Sequence, residues 1–230
     1  MTDYSVGYTG HYDTADEAFL DLYSGLNEQG KRDGSRDGDV RGEIIGATVV
    51  IEDITKCFMT NDVRKMSARY AIGEALWYLS ADNRLQGIQN YTSAWDRMSD
   101  DGVHVRSNYG HCIRRKFGFD QWEYVKNLLR EDQMTRRAVI HIKDAQTTES
   151  KDINCTMTLQ FLVRDGKLDM IVNMRSNDIW LGFPFDVFQF TCMQQLMAIE
   201  LGVGFGKYVH HIGSLHLYER NADYPNGGGE

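Results

Sequence analysis

Apolar residues recur at helical spacing in several segments of the chain. Thr14 and Glu17 form a capping box, and the residues after them predict a helix whose buried side is Phe19, Leu20, Leu22, Tyr23 and Leu26. Helical spacing over 61–80 and over 120–131 predicts two more helices. The almost wholly apolar run over 187–201, closed by Gly202, predicts a central, buried helix.

Strand patterns are strongest in the second half of the chain. A β-branched run over 47–54 predicts one strand, and 208–218 predicts a last one. Between them, apolar and polar residues alternate, which places Cys155, Met157, Leu159, Phe161 and Val163 on one face. Arg164-Asp-Gly-Lys167 predicts a hairpin turn into a returning strand over 168–174. We therefore expect an α+β fold, with a mixed β-sheet packed by helices, in a single domain over 1–230.

Charge and cysteine usage limit the partners and the setting of the protein. The formal net charge is −8, so no basic surplus exists to neutralise a nucleic-acid polymer or an anionic membrane. A small phosphorylated ligand needs only a few local arginines and stays possible. No apolar run reaches membrane-spanning length, and the N-terminus lacks a signal layout. The four cysteines lack metal-site spacing, so we expect no metal, free thiols and a cytoplasmic location.

The segment from Arg175 to Asp186 carries the densest chemistry of the chain. It reads Arg-Ser-Asn-Asp-Ile-Trp-Leu-Gly-Phe-Pro-Phe-Asp and leads straight into the apolar helix. Cys155 lies across the predicted hairpin from Arg175, and a nearby cation favours the reactive thiolate. By spacing alone, however, a core role remains the better interpretation for this cysteine, as for Cys57, Cys112 and Cys192.

These residues resemble the signature of the thymidylate synthase family, whose last signature position is normally Asn. Asn154-Cys155-Thr156, Gln160-Phe161 and Arg175-Ser176 are similar to the family's Pro-Cys-His, Gln-Phe and Arg-Ser steps. The cysteine and the arginine match, whereas the residues that flank the cysteine do not.

The resemblance extends from the Thr14 helix to Tyr218. Further matching steps are Arg36-Asp-Gly38 (with Arg41 as a second candidate), Glu74 in Glu-Ala-Leu-Trp-Tyr-Leu79, Trp95-Asp96, Tyr109-Gly110, Arg136-Arg137 and His216-Leu-Tyr218. Each of these has an ordinary structural interpretation, and composition alone favours a disordered surface loop over 29–42. Their shared order and spacing favour the family resemblance.

The resemblance implies a role for each matching residue. Cys155 would be the nucleophile, with Glu74 organising a water network. The 5′-phosphate would be held by Arg36, Arg175, Ser176 and, from the second subunit of a homodimer formed through the sheet, Arg136 and Arg137. His216 and Tyr218 would bind the sugar hydroxyl. Asp178, Trp95 and Gly182 would contact the cofactor, 5,10-methylenetetrahydrofolate.

Asp186 changes the base that such a site should read. Asn can donate to the uracil carbonyl and accept from the ring N–H, whereas cytosine presents the reversed polarity. A carboxylate accepts from the cytosine amino group, and once protonated it also serves ring nitrogen 3. This change resembles the deoxycytidylate hydroxymethylases of bacteriophages. A simpler interpretation is that Asp186 caps the following helix.

The leading hypothesis is a dCMP 5-hydroxymethyltransferase that acts through a Cys155 adduct and adds water. The C-terminal residues lack the family's short apolar tail, which favours water addition over hydride transfer. The alternatives are a CMP hydroxymethylase, a dUMP methylase or hydroxymethylase, and a non-catalytic nucleotide-binding regulator.

Overall fold

The computed structural model describes residues 5–30, 32–35, 38–145 and 150–222. The strands are β1 (Ser5–Tyr12), β2 (Arg32–Ser35), β3 (Gly38–Ile51), β4 (Val139–His141), β5 (Thr156–Arg164), β6 (Lys167–Met174), β7 (Asn177–Asp178) and β8 (Gly204–Tyr218). The α-helices are α1 (Ala15–Asn27), α2 (Ala68–Leu79), α3 (Gln86–Gln89), α4 (Tyr109–Arg114), α5 (Gln121–Glu131) and α6 (Phe183–Leu201).

The contacts of the backbone divide the chain into two compact units. Unit 1 comprises Met1–Met66, Asn173–Thr191 and Gly206–Glu230, and unit 2 comprises Ser67–Val172 and Cys192–Phe205. None of the helices in the described ranges is long and apolar enough to cross a membrane.

Unit 1 is built around the long strand β3. It pairs in parallel with β1, as at Tyr8↔Ala47, and antiparallel with β8, as at Ile44↔Leu215. Helix α1 packs on β1 and β3, and a side-chain carbon at Gly42 would lie 2.1 Å from the Leu26 carbonyl oxygen. Glycine therefore permits the close approach of helix and strand. The mixed strand pairing confirms the expected fold class of a mixed sheet packed by helices.

Unit 2 contains the hairpin of β5 and β6, with β4 on the other side of β5. The turn residues Asp165 and Gly166 have φ angles of 50° and 70°, the left-handed region that a tight hairpin turn requires. Helix α5 packs on β4 and β5, where the rings of Trp122 and Phe161 meet edge to face at 6.1 Å. The predicted hairpin is confirmed.

Several local predictions are confirmed at the helix ends. Thr14 caps α1 by accepting from the Glu17 amide, and Gly202 follows α6 with a φ of 69°. Asp120, expected as the first residue of its helix, is instead the cap of α5. The side chain of Asp16, in the first turn of α1, accepts hydrogen bonds from four donor groups, the amides and side chains of Thr60 and Asn61, and fixes that turn.

Other local predictions are wrong. Helix α2 begins at Ala68 behind its cap Ser67, not at 61, because the preceding turn is bound to α1. Leu20 is 39% exposed, since it points away from the sheet that α1 covers. In β5, Met157 is 38% exposed and Thr156 is fully buried, so the alternation holds only from Leu159 onward.

Composition predicted a disordered surface loop over 29–42, but the described residues of this segment include two strands. Arg32–Ser35 forms β2, which pairs antiparallel with β3, and β3 itself begins at Gly38. Arg36, the candidate phosphate ligand, lies outside the described residues.

Candidate active site

Glu74 is a buried carboxylate at the centre of a short hydrogen-bonded series in unit 2. It is 4% exposed and lies in α2, one turn after Tyr70. The Tyr70 hydroxyl donates to Glu74 Oε1 at 2.5 Å, and Trp95 Nε1 donates to the Tyr70 oxygen at 3.1 Å. A buried carboxylate requires such donors, because burying an uncompensated charge is costly. The series therefore joins Glu74 to Trp95, two of the sequence-predicted site residues.

Aromatic rings fix the surroundings of this series. Trp77 meets Trp95 edge to face at 5.4 Å, and Tyr78 packs against Tyr109 at 5.1 Å. A side-chain carbon at Gly110 would lie 1.6 Å from the Tyr78 carbonyl oxygen, so α4 touches α2 backbone to backbone. The Tyr-Gly step identified in the sequence is thus a packing contact between the two helices.

Cys155 directly precedes β5, and its thiol is half-buried. On one flank, the buried Asn154 donates from Nδ2 to the Ser107 carbonyl at 3.1 Å. On the other flank, Thr156 Oγ1 is buried and has no hydrogen-bond partner among the described residues. Burial raises the pKa of the Cys112 thiol to about 11, which keeps that cysteine neutral and fits its expected core role. Cys155 is more accessible than its immediate neighbours, as a nucleophile must be.

The signature segment in unit 1 forms a tight turn around Asp178. Strand β7 pairs in parallel with β8, with Asp178 opposite His216. Asp178 Oδ1 accepts from the amides of Trp180 and Leu181 at 2.8 and 3.2 Å, and its carbonyl accepts from the Gly182 amide. Burial raises the pKa of Asp178, against the lowering effects of those amides and of His216. Its other oxygen, Oδ2, is buried without a partner in the described part of the chain.

Asp186 lies inside the first turn of α6, which begins at Phe183 rather than at 187. The interpretation of Asp186 as the helix cap is therefore wrong, since the cap position precedes Phe183. Its amide donates to the Gly182 carbonyl at 2.9 Å, and its Oδ2 accepts from Asn177 Nδ2 at 2.8 Å. The carboxylate is thus held by a residue to which sequence analysis gave no role.

Buried polar residues lie on the β8 side of this turn. Tyr208 and His210 are hydrogen-bonded at 3.1 Å, and His210 stacks on Phe183 at 5.8 Å. Burial lowers the pKa of His210 to about 3, so its ring is neutral. Burial also raises the pKa of Tyr208, and the negative charge of Asp186 adds to that effect. These residues fix the start of α6 and therefore the position of Asp186.

The predicted sugar-binding residues also lie on β8. His216 is 8% exposed, and its ring meets that of Tyr218 edge to face at 5.0 Å. Ser214, on the same strand, donates to Glu43 Oε1 at 2.5 Å. The Arg220 guanidinium lies over the Tyr218 ring at 4.3 Å.

The candidate phosphate ligands differ in their surroundings. Arg175 and Ser176 follow β6, and the Arg175 carbonyl accepts from the Ser214 amide at 3.1 Å, which fixes the backbone beneath the exposed arginine side chain. Arg136 and Arg137 are exposed between α5 and β4 of unit 2. Arg41 donates to the Asn27 carbonyl at 2.8 Å and pairs with Glu219, so it is engaged within unit 1.

The predicted residues thus form two groups. Unit 1 joins Asp178 to His216 and Gly182 to Asp186, and unit 2 joins Glu74 to Trp95. Cys155, Arg136 and Arg137 also lie in unit 2.

Sequence reasoning missed Asn177, Tyr70 and Arg64. The Arg64 guanidinium lies over the rings of Trp180 and Phe185 at 5.4 and 5.7 Å. Tyr70 could have been found, because it stands one helical turn before Glu74. Arg64 and Asn177 gave no comparable signal, because their contacts depend on tertiary structure.

Comparison with known proteins identifies the class. The thymidylate synthase family model matches residues 17–225. A thymidylate synthase of Bacillus licheniformis is 29% identical over 172 residues, covering 71% of this chain and 62% of that protein. The thymidylate synthase of Bacillus licheniformis strain ATCC 14580 gives the same values. The chain belongs to the thymidylate synthase family, and it spans 62% of the length of these curated relatives. Enzymes of this family use 5,10-methylenetetrahydrofolate.

Proposed function

We propose that the protein transfers a one-carbon unit from 5,10-methylenetetrahydrofolate to carbon 5 of dCMP, with water addition giving 5-hydroxymethyl-dCMP. Family membership supports the one-carbon transfer to a nucleotide. The choice of base rests on one observation: a carboxylate, Asp186, stands at the end of the signature segment and accepts a hydrogen bond from Asn177.

The polarity of Asp186 favours cytosine over uracil. The oxygen of Asp186 that accepts from Asn177 can accept a second hydrogen bond, and the cytosine amino group can donate it. The uracil carbonyl at the same ring position would face the carboxylate with a second acceptor. A mismatched buried pair of this kind costs about 1–3 kcal/mol, which is roughly ten- to hundredfold in discrimination.

Cys155 and Asp186 act together on the ring in this proposal. The Cys155 thiolate forms a bond to carbon 6, and the electron pair of the 5,6 double bond moves toward carbon 5, which becomes nucleophilic. Asp186 supplies a proton at ring nitrogen 3, which stabilises the adduct. The folate, when bound, supplies the electrophilic one-carbon unit. The Glu74 series, with its donor at 2.5 Å, holds the carboxylate that orders water and accepts the proton lost from carbon 5.

The remaining residues bind the two ligands in the proposed reaction. Arg175, Ser176, Arg36 and the partner subunit's Arg136 and Arg137 hold the 5′-phosphate, for which guanidinium geometry is well suited. His216 and Tyr218 contact the sugar hydroxyl. The buried Oδ2 of Asp178, which lacks a partner among the described residues, fits the N–H donors of a pterin. Trp95 and Gly182 complete the folate contacts, and the sharing of arginines makes the functional unit a homodimer.

Methylation of dUMP is the second candidate function, because the relatives reported above are thymidylate synthases. In that case Asp186 would be protonated and would donate to the uracil carbonyl. The two candidates therefore differ in the base used and in the final group added.

Mass spectrometry of the products from dCMP, CMP and dUMP, each with methylenetetrahydrofolate, tests the proposal. We expect a product heavier than dCMP by CH2O, because a hydroxymethyl group replaces the hydrogen on carbon 5. We expect no product with Cys155→Ala, and normal turnover with the matched variant Cys57→Ala, which replaces another buried cysteine. Methylated dUMP as the main product would overturn the proposal in favour of the second candidate. Activity that survives in Cys155→Ala would exclude the covalent route.

A further inference from the structure

Asn177 is a buried amide that contacts neither substrate in the proposed reaction. It is 3% exposed, and the parallel pairing of β7 with β8, at Asn177↔Leu215, fixes its backbone. Its Nδ2 donates to Asp186 Oδ2 at 2.8 Å. Its Oδ1 is buried and finds no partner within the described ranges, so the bond to Asp186 is the described polar contact that orients this side chain.

Gly182 leaves the space in which this bond forms. A side-chain carbon at position 182 would lie 2.9 Å from Asn177 Nδ2 and 3.2 Å from Asp186 Oδ2. The Gly182 carbonyl also accepts from the Asp186 amide at 2.9 Å, which ties the helix start to the same turn. Backbone, amide and carboxylate are therefore fixed relative to one another within unit 1.

We infer that Asn177 is a positioning residue, which holds the Asp186 carboxylate as a hydrogen-bond acceptor and thereby determines that the site selects an amino-bearing pyrimidine. This inference rests on the proposed function and assigns its base selectivity to a pair of residues rather than to Asp186 alone.

The polarity of the bond carries the argument. A carboxylate offers only acceptors, so the amide must turn its N–H₂ group toward Asp186 and its own oxygen away. The bond from Asn177 keeps Oδ2 an acceptor, so the proton that Asp186 supplies to ring nitrogen 3 in the proposed reaction is carried by Oδ1. Engaging Oδ2 also restrains the plane of the half-buried carboxyl group, because rotation would break the bond to Asn177. Removal of the amide would release both constraints.

Four variants test the inference through the ratio of kcat/KM for dCMP to that for dUMP. Asn177→Ala removes the donor, and we expect the ratio to fall about tenfold or more, with the loss mainly in the KM for dCMP. Thr191→Val is the matched control, because Thr191 is buried in α6, the helix that carries Asp186. Its hydroxyl donates to the Val187 carbonyl at 2.7 Å rather than to the Asp186 carboxylate. Its ratio should remain that of the natural protein.

The exchange variant Asn177→Asp/Asp186→Asn covers the case in which Asn177→Ala does not fold. It restores a hydrogen bond between the two positions with almost unchanged volume but places the amide where the carboxylate stood. We expect it to fold and to prefer dUMP, whereas Asn177→Asp alone sets two carboxylates 2.8 Å apart and should bind neither nucleotide well.

The outcomes separate the two claims. If the natural protein does not prefer dCMP over dUMP, the proposed function fails. If it does prefer dCMP, and Asn177→Ala keeps the same ratio, the proposed function stands and the role of Asn177 is refuted. If the exchange variant keeps the same ratio, neither Asn177 nor Asp186 selects the base.

Discussion

Substitution of Gly182 by alanine sets two opposing effects against each other. Because the backbone of Gly182 does not have a positive φ, alanine gains about 0.4–1 kcal/mol from the reduced entropy of the unfolded chain. The added carbon would lie 2.9 Å from Asn177 Nδ2, too close for the amide to stay in place. Loss of a hydrogen bond to a carboxylate costs about 1.5–3 kcal/mol. We therefore expect a net destabilisation of about 1–2 kcal/mol.

Gly25→Ala is the matched control for this substitution. Gly25 lies within α1, and a side-chain carbon there would meet no atom of the described residues within 4 Å. Alanine at this position should stabilise the protein by about 0.5–1 kcal/mol. Urea unfolding measures both variants, and calorimetry measures their dCMP binding. If Gly182→Ala is at least as stable as the natural protein and binds dCMP equally well, the Asn177–Asp186 bond does not depend on the space at Gly182.

Three further predictions concern catalysis, binding and pH. Tyr70→Phe removes the donor to Glu74 and should lower kcat for tritium release from 5-labelled dCMP about tenfold or more; an unchanged kcat would remove the hydroxyl from the reaction. Arg175→Ala should raise the KM for dCMP at least about tenfold, as a lost phosphate contact would, while the exposed Arg130→Ala should not; equal effects would argue against a phosphate role. Burial opposes ionisation of Asp16, but the hydrogen bonds from its four donor groups outweigh burial and lower its pKa. Its stabilising contribution is therefore present above the ordinary pKa of 3.8 and is lost as the pH falls through the lower folded-state value. In Asp16→Asn, the free energy of unfolding, measured in urea at a series of acid pH values, should therefore fall less steeply with decreasing pH.

Local signals in the sequence predicted the parts of the fold that depend on near neighbours. The Thr14 capping box, the Asp165-Gly166 turn and the Gly202 helix end each involve residues a few positions apart, and each is confirmed. The start of α2 was wrong because a contact from Asp16, distant in sequence, holds the preceding turn out of the helix. Exposure of Met157 likewise depends on what covers the strand, which periodicity does not reveal.

In the candidate site too, features that depend on the local sequence were predicted, and features that depend on tertiary contacts were not. Asp186 and Glu74 became candidates through the order and spacing of the residues that match the family, since each has an ordinary structural interpretation on its own. Asn177 did not stand out, since an asparagine beside a turn is common and its value here comes from a bond to a residue on the following helix. The need for glycine at position 182 also depends on that bond and not on its backbone angles.

The contact between Gly110 and the Tyr78 carbonyl has a consequence for attempts to evolve a new base preference. With 1.6 Å between a would-be side-chain carbon and that oxygen, any other residue at position 110 would push the two helices apart and shift the scaffold that carries Glu74. A library that randomises the neighbourhood should therefore return glycine at this codon in nearly every surviving clone, whichever nucleotide is used for selection. Randomisation is more productive at positions where two side chains are in contact than at positions where two backbones are.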